Sequence, residues 1–198
     1  FYYSGHGMPS ETTGDPFIMP VDVSAYTVDE AISLNKLLID FSRYDKQKTT
    51  VIVDACFSGV SRSPEPLIKV RGVGSKKLEK RTENKSSNKS YFNYYKPVTY
   101  QDINYINPNI GKNMMLISSS SGDETSLTWD DKQHGLFTYF LLKSLQKSGG
   151  NISNEKLFYE VKKEVRIKSI FDFGGRKQTP EVLYGEQFKK DNQFLKND

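Results

Sequence analysis

At 198 residues and 22.6 kDa the chain is long enough for one sizeable core and too short for two full domains. Hydrophobic residues make up 36%, aromatics 13% and charged residues 26%, which excludes a disordered or fibrous polypeptide. No apolar run approaches the roughly 20 residues of a membrane span, and the one cysteine cannot close an internal disulfide, so a reducing, cytoplasmic setting is expected.

The net charge of +4 is unevenly spread. Between positions 62 and 96 ten Lys or Arg face three Glu, a local +7, which leaves −3 on the rest of the chain. The basicity therefore belongs to one segment and does not mark the body as a nucleic-acid binder.

The chain opens on the apolar run FYYSGHG without an initiator Met, so it reads as a piece of something longer whose start says nothing about targeting. Residues 1–4 read as a first strand. Residues 27–41 carry a helix pattern, with Thr27 and Glu30 suited to a capping box and Ala31, Ile32, Leu34, Leu37, Leu38 and Phe41 at helical spacing. Residues 49–56, TTVIVDAC, and 113–118, NMMLIS, are continuous apolar runs of the kind buried on both faces of a parallel sheet. Between them, residues 61–105 are rich in Lys, Ser and Asn with little periodicity, and read as a basic, mobile insertion.

Residues 136–145 form a strongly apolar helix pattern that stops near Gly149 and Gly150. Residues 154–168 form another, with Ser153 as N-cap and Leu157, Phe158, Val161 and Val165 on one side. EVLY, residues 181–184, reads as a last strand. Strand and helix patterns alternate, so the expected class is α/β with a mostly parallel sheet flanked by helices.

In such sheets ligands sit at the carboxyl ends of the strands. The first strand runs into Gly5-His6-Gly7, and the strand at 49–56 runs into Cys56-Phe57-Ser58-Gly59. If the two strands are parallel neighbours, imidazole and thiol reach the same edge, as covalent cysteine catalysis requires. The backbone N–H groups of Gly7 and Cys56 would then be candidates to hold a developing oxyanion. The competing reading is plainer: cysteine is among the most buried residue types, and Cys56 could be a small hydrophobe closing a strand.

The pair YSGHG and DACFSG resembles the caspase and metacaspase-like cysteine peptidases, especially the bacterial members. The separation of 50 residues from His6 to Cys56 is similar to the caspase spacing of about 50. The resemblance continues through LISSSSGDETSLTWDDKQHGLFTYFLLKSL and GRKQTPEV. It implies a caspase-hemoglobinase α/β/α sandwich over residues 1–198, with the family's first strand and helix lying before Phe1, and His6 and Cys56 as the catalytic dyad. It also implies that residues 61–105 are an inter-subunit linker.

Departures from the caspase pattern bear on specificity. Caspases carry Gln-Ala-Cys-x-Gly, whereas DACFSG matches the metacaspase run Asp-Ser-Cys-His-Ser-Gly at Asp54, Cys56, Ser58 and Gly59. In that group the aspartate lines the primary specificity pocket, so the resemblance implies cleavage after Arg or Lys rather than Asp. Asp54 as a structural carboxylate capping backbone amides is the other reading. Ser4 is a further pocket candidate, and Ser119, Ser120 and Asp123 are candidates to line the cleft.

An enzyme with this preference could cut its own basic linker, with Lys76-Lys77 and Lys80-Arg81 as candidate sites. His134 is expected to be structural. No cofactor is expected to be required. Glu124, Asp130 and Asp131 are candidates for an activating calcium site of the kind some metacaspases use, although no EF-hand spacing is present. The expected partners are a protein or peptide substrate and flanking regulatory domains, with neither membrane nor nucleic acid. The alternatives are an inactive caspase-like scaffold and a cysteine hydrolase acting on non-peptide substrates.

Overall fold

The computed structural model describes residues 1–10, 15–23, 30–44, 46–57, 110–121, 124–188 and 192–195. The expected insertion at 61–105, the sites Lys76-Lys77 and Lys80-Arg81, and Asp123, Ser58, Gly59 and Thr27 lie outside the described residues.

The main sheet has four strands: β1 (Tyr2–Ser4), β5 (Thr49–Asp54), β6 (Met114–Ser118) and β9 (Glu181–Tyr184), in the order β1-β5-β6-β9. β1, β5 and β6 run parallel, and β9 closes the far side antiparallel to β6. Alternation along the strands sorts the apolar side chains into two layers. Val51, Val53, Met114 and Leu116 face Leu34 and Leu38 of α1 (Leu34–Ser42). Ile52, Met115 and Ile117 face the other way, onto α2 (Leu136–Ser148) and α3 (Asn154–Asp172), which supply Leu136, Phe137, Phe140, Leu141, Leu157, Val161 and Val165. Helices on both faces of a mostly parallel sheet make the three-layer α/β/α sandwich.

The helix ends follow local chemistry. Ser153 Oγ accepts from Lys156 N at 3.3 Å and starts α3. Gly149 takes a left-handed conformation, φ 57°, and ends α2. Both helices run past their expected limits, to Ser148 and Asp172.

The helix expected over 27–41 is corrected. Ile32 and Ser33 form a short strand, β4 (Ile32–Ser33), and the helix begins at Leu34. Ser33 is its N-cap, accepting from Lys36 N at 3.2 Å. Ile32 has another partner to satisfy: it pairs with Ile18 in an antiparallel sheet of β2 (His6–Pro9), β3 (Pro16–Met19) and β4. That sheet, and the two-residue pair β7 (Thr128–Trp129) and β8 (His134–Gly135), were not expected. No helix among the described residues is long and apolar enough to cross a membrane.

Candidate active site

The site is built on one register. β1 and β5 are parallel neighbours with Ser4 opposite Asp54, and Gly5 N donates to Asp54 O at 3.1 Å. Two positions further along each strand stand His6 and Cys56. The two segments stay in contact past the strand ends: a Cβ added at Gly7 would lie 2.8 Å from the Cys56 carbonyl oxygen and would strike the Phe57 ring. Only glycine lets β2 pass this close. The imidazole-bearing turn and the thiol-bearing turn therefore share one edge of the sheet.

Gly7 has a second relevant property. Antiparallel pairs alternate between those that exchange hydrogen bonds and those that do not. Ser10 N donates to Asp15 O at 2.8 Å, so counting back along the register places Gly7 and Ile18 at a pair that does not exchange them. The Gly7 N–H is turned away from β3.

Cys56 is 4% exposed, yet it belongs to neither apolar cluster. Its sulfur meets backbone: Ser126 N donates to Sγ at 2.8 Å, and Sγ lies 3.6 Å from Ser126 O. The thiol is buried among the core side chains, with the Ser126 backbone lying against its sulfur. His6 is exposed, and its carbonyl accepts the Tyr3 hydroxyl at 2.7 Å.

Asp54 is fully buried. Ser126 Oγ donates to Oδ1 at 2.5 Å and Thr138 Oγ1 donates to Oδ2 at 2.6 Å. Because Thr138 spends its hydrogen on Asp54, the Tyr2 hydroxyl, 2.6 Å away, is the donor in that pair. A hydroxyl chain from the half-exposed Tyr2 thus ends on the carboxylate. Asp54 also abuts the first turn of α2, since a Cβ at its N-cap Gly135 would collide with the carboxylate. A helix N-terminus favours a negative charge there.

The remaining candidates divide. Ser119 is buried and donates to Ser126 Oγ at 2.9 Å, so it braces the site from beneath. Ser120 is buried at the end of the same run, its carbonyl accepting Ser118 Oγ. Ser4 is exposed at the tip of β1, beside Asp54 in register. His134 is exposed at the start of β8, paired with Trp129 of β7. Glu124 accepts from Thr179 N at 2.5 Å and Thr179 Oγ1 at 3.0 Å, which ties it to the segment before β9. Among the described residues no three His, Cys, Asp or Glu side chains cluster as metal ligands would.

Sequence reasoning missed Ser126, Thr138 and Gln178. Gln178 is fully buried; its Nε2 donates to Ser119 O at 2.9 Å, and its Oε1 accepts from Leu127 N at 2.9 Å. GRKQTPEV was singled out as a stretch, but nothing in it marked Gln178 as the brace of the chain over Cys56.

A search of the curated proteins returns no match. The profile of the caspase domain, peptidase family C14, matches residues 1–190, nearly the whole chain and both motif-bearing turns. With that match and the three-layer fold, the chain belongs to the caspase-domain family of cysteine peptidases.

Proposed function

We propose that this protein is a cysteine endopeptidase that cleaves after Arg or Lys, with Cys56 as nucleophile and His6 as its proton-transfer partner. The observation that carries the reading is the shared register: His6 and Cys56 each stand two positions past the register partners Ser4 and Asp54, where Gly5 N donates to Asp54 O. Sulfur attacks the peptide carbonyl, the thiol proton passes through imidazole to the leaving amine, and water later releases the acyl group. The Gly7 N–H, turned away from β3, and the Cys56 N–H hold the oxyanion. Asp54 supplies the charge that a cationic side chain seeks; its burial and paired hydroxyls keep the carboxylate fixed. The basic segment between positions 62 and 96 is its own substrate, and calcium is not required for turnover.

The test is incubation with fluorogenic peptides ending in Arg, Lys, Asp or Leu, beside Cys56→Ala. Turnover of the Arg and Lys peptides by the parent protein, and none by the variant, is the expected result. Exclusive turnover of the Asp peptide would overturn the Asp54 assignment and leave the nucleophile standing. The cover over Cys56 favours one second reading, a scaffold that does no chemistry. Covalent capture of an arginyl chloromethylketone at Cys56 excludes it; a thiol that stays unmodified supports it.

A further inference from the structure

We propose that Ser126 is a positioning residue that presents its backbone N–H to the Cys56 sulfur and stabilises the thiolate before substrate arrives. The proposal deepens the reading of Cys56 as nucleophile and rests on it.

The amide of Ser126 meets Sγ at 2.8 Å, and a hydrogen bond to the charged form of an ionisable group favours that form; the opposing contact, which Sγ donates to Ser126 O, is the longer at 3.6 Å. A backbone donor works only if its residue is held still, and Ser126 is held by its own side chain. Its hydroxyl donates to Asp54 Oδ1 at 2.5 Å, accepts from Ser119 Oγ at 2.9 Å, and lies 3.4 Å from Gln178 Nε2. The next residue is fixed as well, through Leu127 N on Gln178 Oε1. All four side chains are fully buried, so the anchors are shielded from competing water.

Asp54 thereby acts on the nucleophile two positions away through space, by way of Ser126. Among the described residues the titratable groups at this end of the sheet include Asp54, His6, Tyr2 by way of Thr138, and Tyr3 on the His6 carbonyl, together with Glu124 on the covering segment, which bonds Thr179 instead. A change at Ser126 leaves His6 and Glu124 as they are but removes the donor on Asp54 Oδ1, so Thr138→Ala, which removes the donor on Oδ2 instead, is measured beside it, and an equal displacement there would place the effect on Asp54 and overturn the proposal.

Because the chain has one cysteine, alkylation by iodoacetamide reads this thiol and no other. Rates are measured from pH 5 to pH 10 for the parent, Ser126→Ala and Ser126→Thr, with folding checked by circular dichroism. The expected result is an acid limb displaced to higher pH in Ser126→Ala, with alkylation about tenfold slower at pH 6.5, as a shift of about one unit in thiol ionisation produces. Ser126→Thr, which keeps the hydroxyl, follows the parent. Superimposable profiles for the parent and Ser126→Ala overturn the proposal. Should Ser126→Ala not fold, Ser119→Ala, which removes one anchor of the Ser126 hydroxyl, is read the same way: a smaller displacement in the same direction supports the proposal and an unmoved profile overturns it. Alkylation is independent of peptide turnover, so a displaced profile in a protein that cleaves no peptide would sink the peptidase reading and not this one.

Discussion

Replacement of Asp54 by Asn and by Ala separates its two roles, structural and selective. The carboxylate accepts hydroxyls on both oxygens, from Ser126 at 2.5 Å and from Thr138 at 2.6 Å. Asn keeps the shape, and its amide nitrogen can donate to Thr138 Oγ1 if Thr138 then donates to Tyr2, so the chain of hydroxyls reverses and each hydroxyl keeps a partner. What is lost is charge assistance: hydrogen bonds to ions contribute about 1.5–3 kcal/mol against about 1 for neutral ones, so two bonds cost about 1–4 kcal/mol. Ala strands two buried hydroxyls at about 1–3 kcal/mol each and leaves a cavity, for a total of about 4 kcal/mol. Urea unfolding should rank the parent above Asp54→Asn and that variant well above Asp54→Ala. In activity the order compresses. Both variants should lose at least about 100-fold in kcat/KM on Arg and Lys peptides, about 2.7 kcal/mol of transition-state binding, because each lacks the charge. A folded Asp54→Asn that retains Arg and Lys turnover would refute the selective role and leave Asp54 a structural carboxylate.

Three further outcomes are expected. Gly135 has an ordinary φ of −61°, so Gly135→Ala meets no backbone strain but drives a methyl into the Asp54 carboxylate; thermal unfolding should fall by about 2–12 °C, from about 1–3 kcal/mol of overpacking. Leu38, fully buried between α1 and the sheet, should cost about 3 kcal/mol as Leu38→Ala, read by the urea midpoint at constant slope. Burial, and secondly the charge of Glu155, raise the Tyr184 phenol above its ordinary value, so the folded form holds its proton into more alkaline solution than the unfolded chain does. Folding stability should therefore be unaffected below the unfolded value of about 10 and decline as pH rises through the folded one, and Tyr184→Phe should flatten that decline in unfolding measured from pH 9 to pH 11.

Continuous apolar runs disclosed β5 and β6 because strands buried on both faces must be hydrocarbon on both, and helical spacing disclosed α2 and α3. β2, β3 and β4 stayed hidden because each is short and two carry proline: Pro9 and Pro16 end their pair opposite each other, where no N–H is needed. The start of α1 was misplaced because Ile32 fits a helical stripe equally well, and only its pairing with Ile18 decides otherwise. In the candidate site, the arrival of the His6 and Cys56 segments at one edge of the sheet was legible from glycines at the ends of apolar runs. Ser126, Thr138 and Gln178 were not: each is polar in a stretch of polar or helical sequence, and its meaning lies in a partner 51 to 84 positions away.

The ladder between β5 and β6 has a consequence for covalent continuity. Thr49 through Val53 lie opposite Met114 through Ser118 in five consecutive parallel pairs, and each apolar layer draws side chains from both sides of positions 58–109. A molecule nicked within that interval would sediment as one particle, since the hydrophobic layers and the ladder supply the cohesion. The polypeptide could be severed into two pieces without its interior registering the loss.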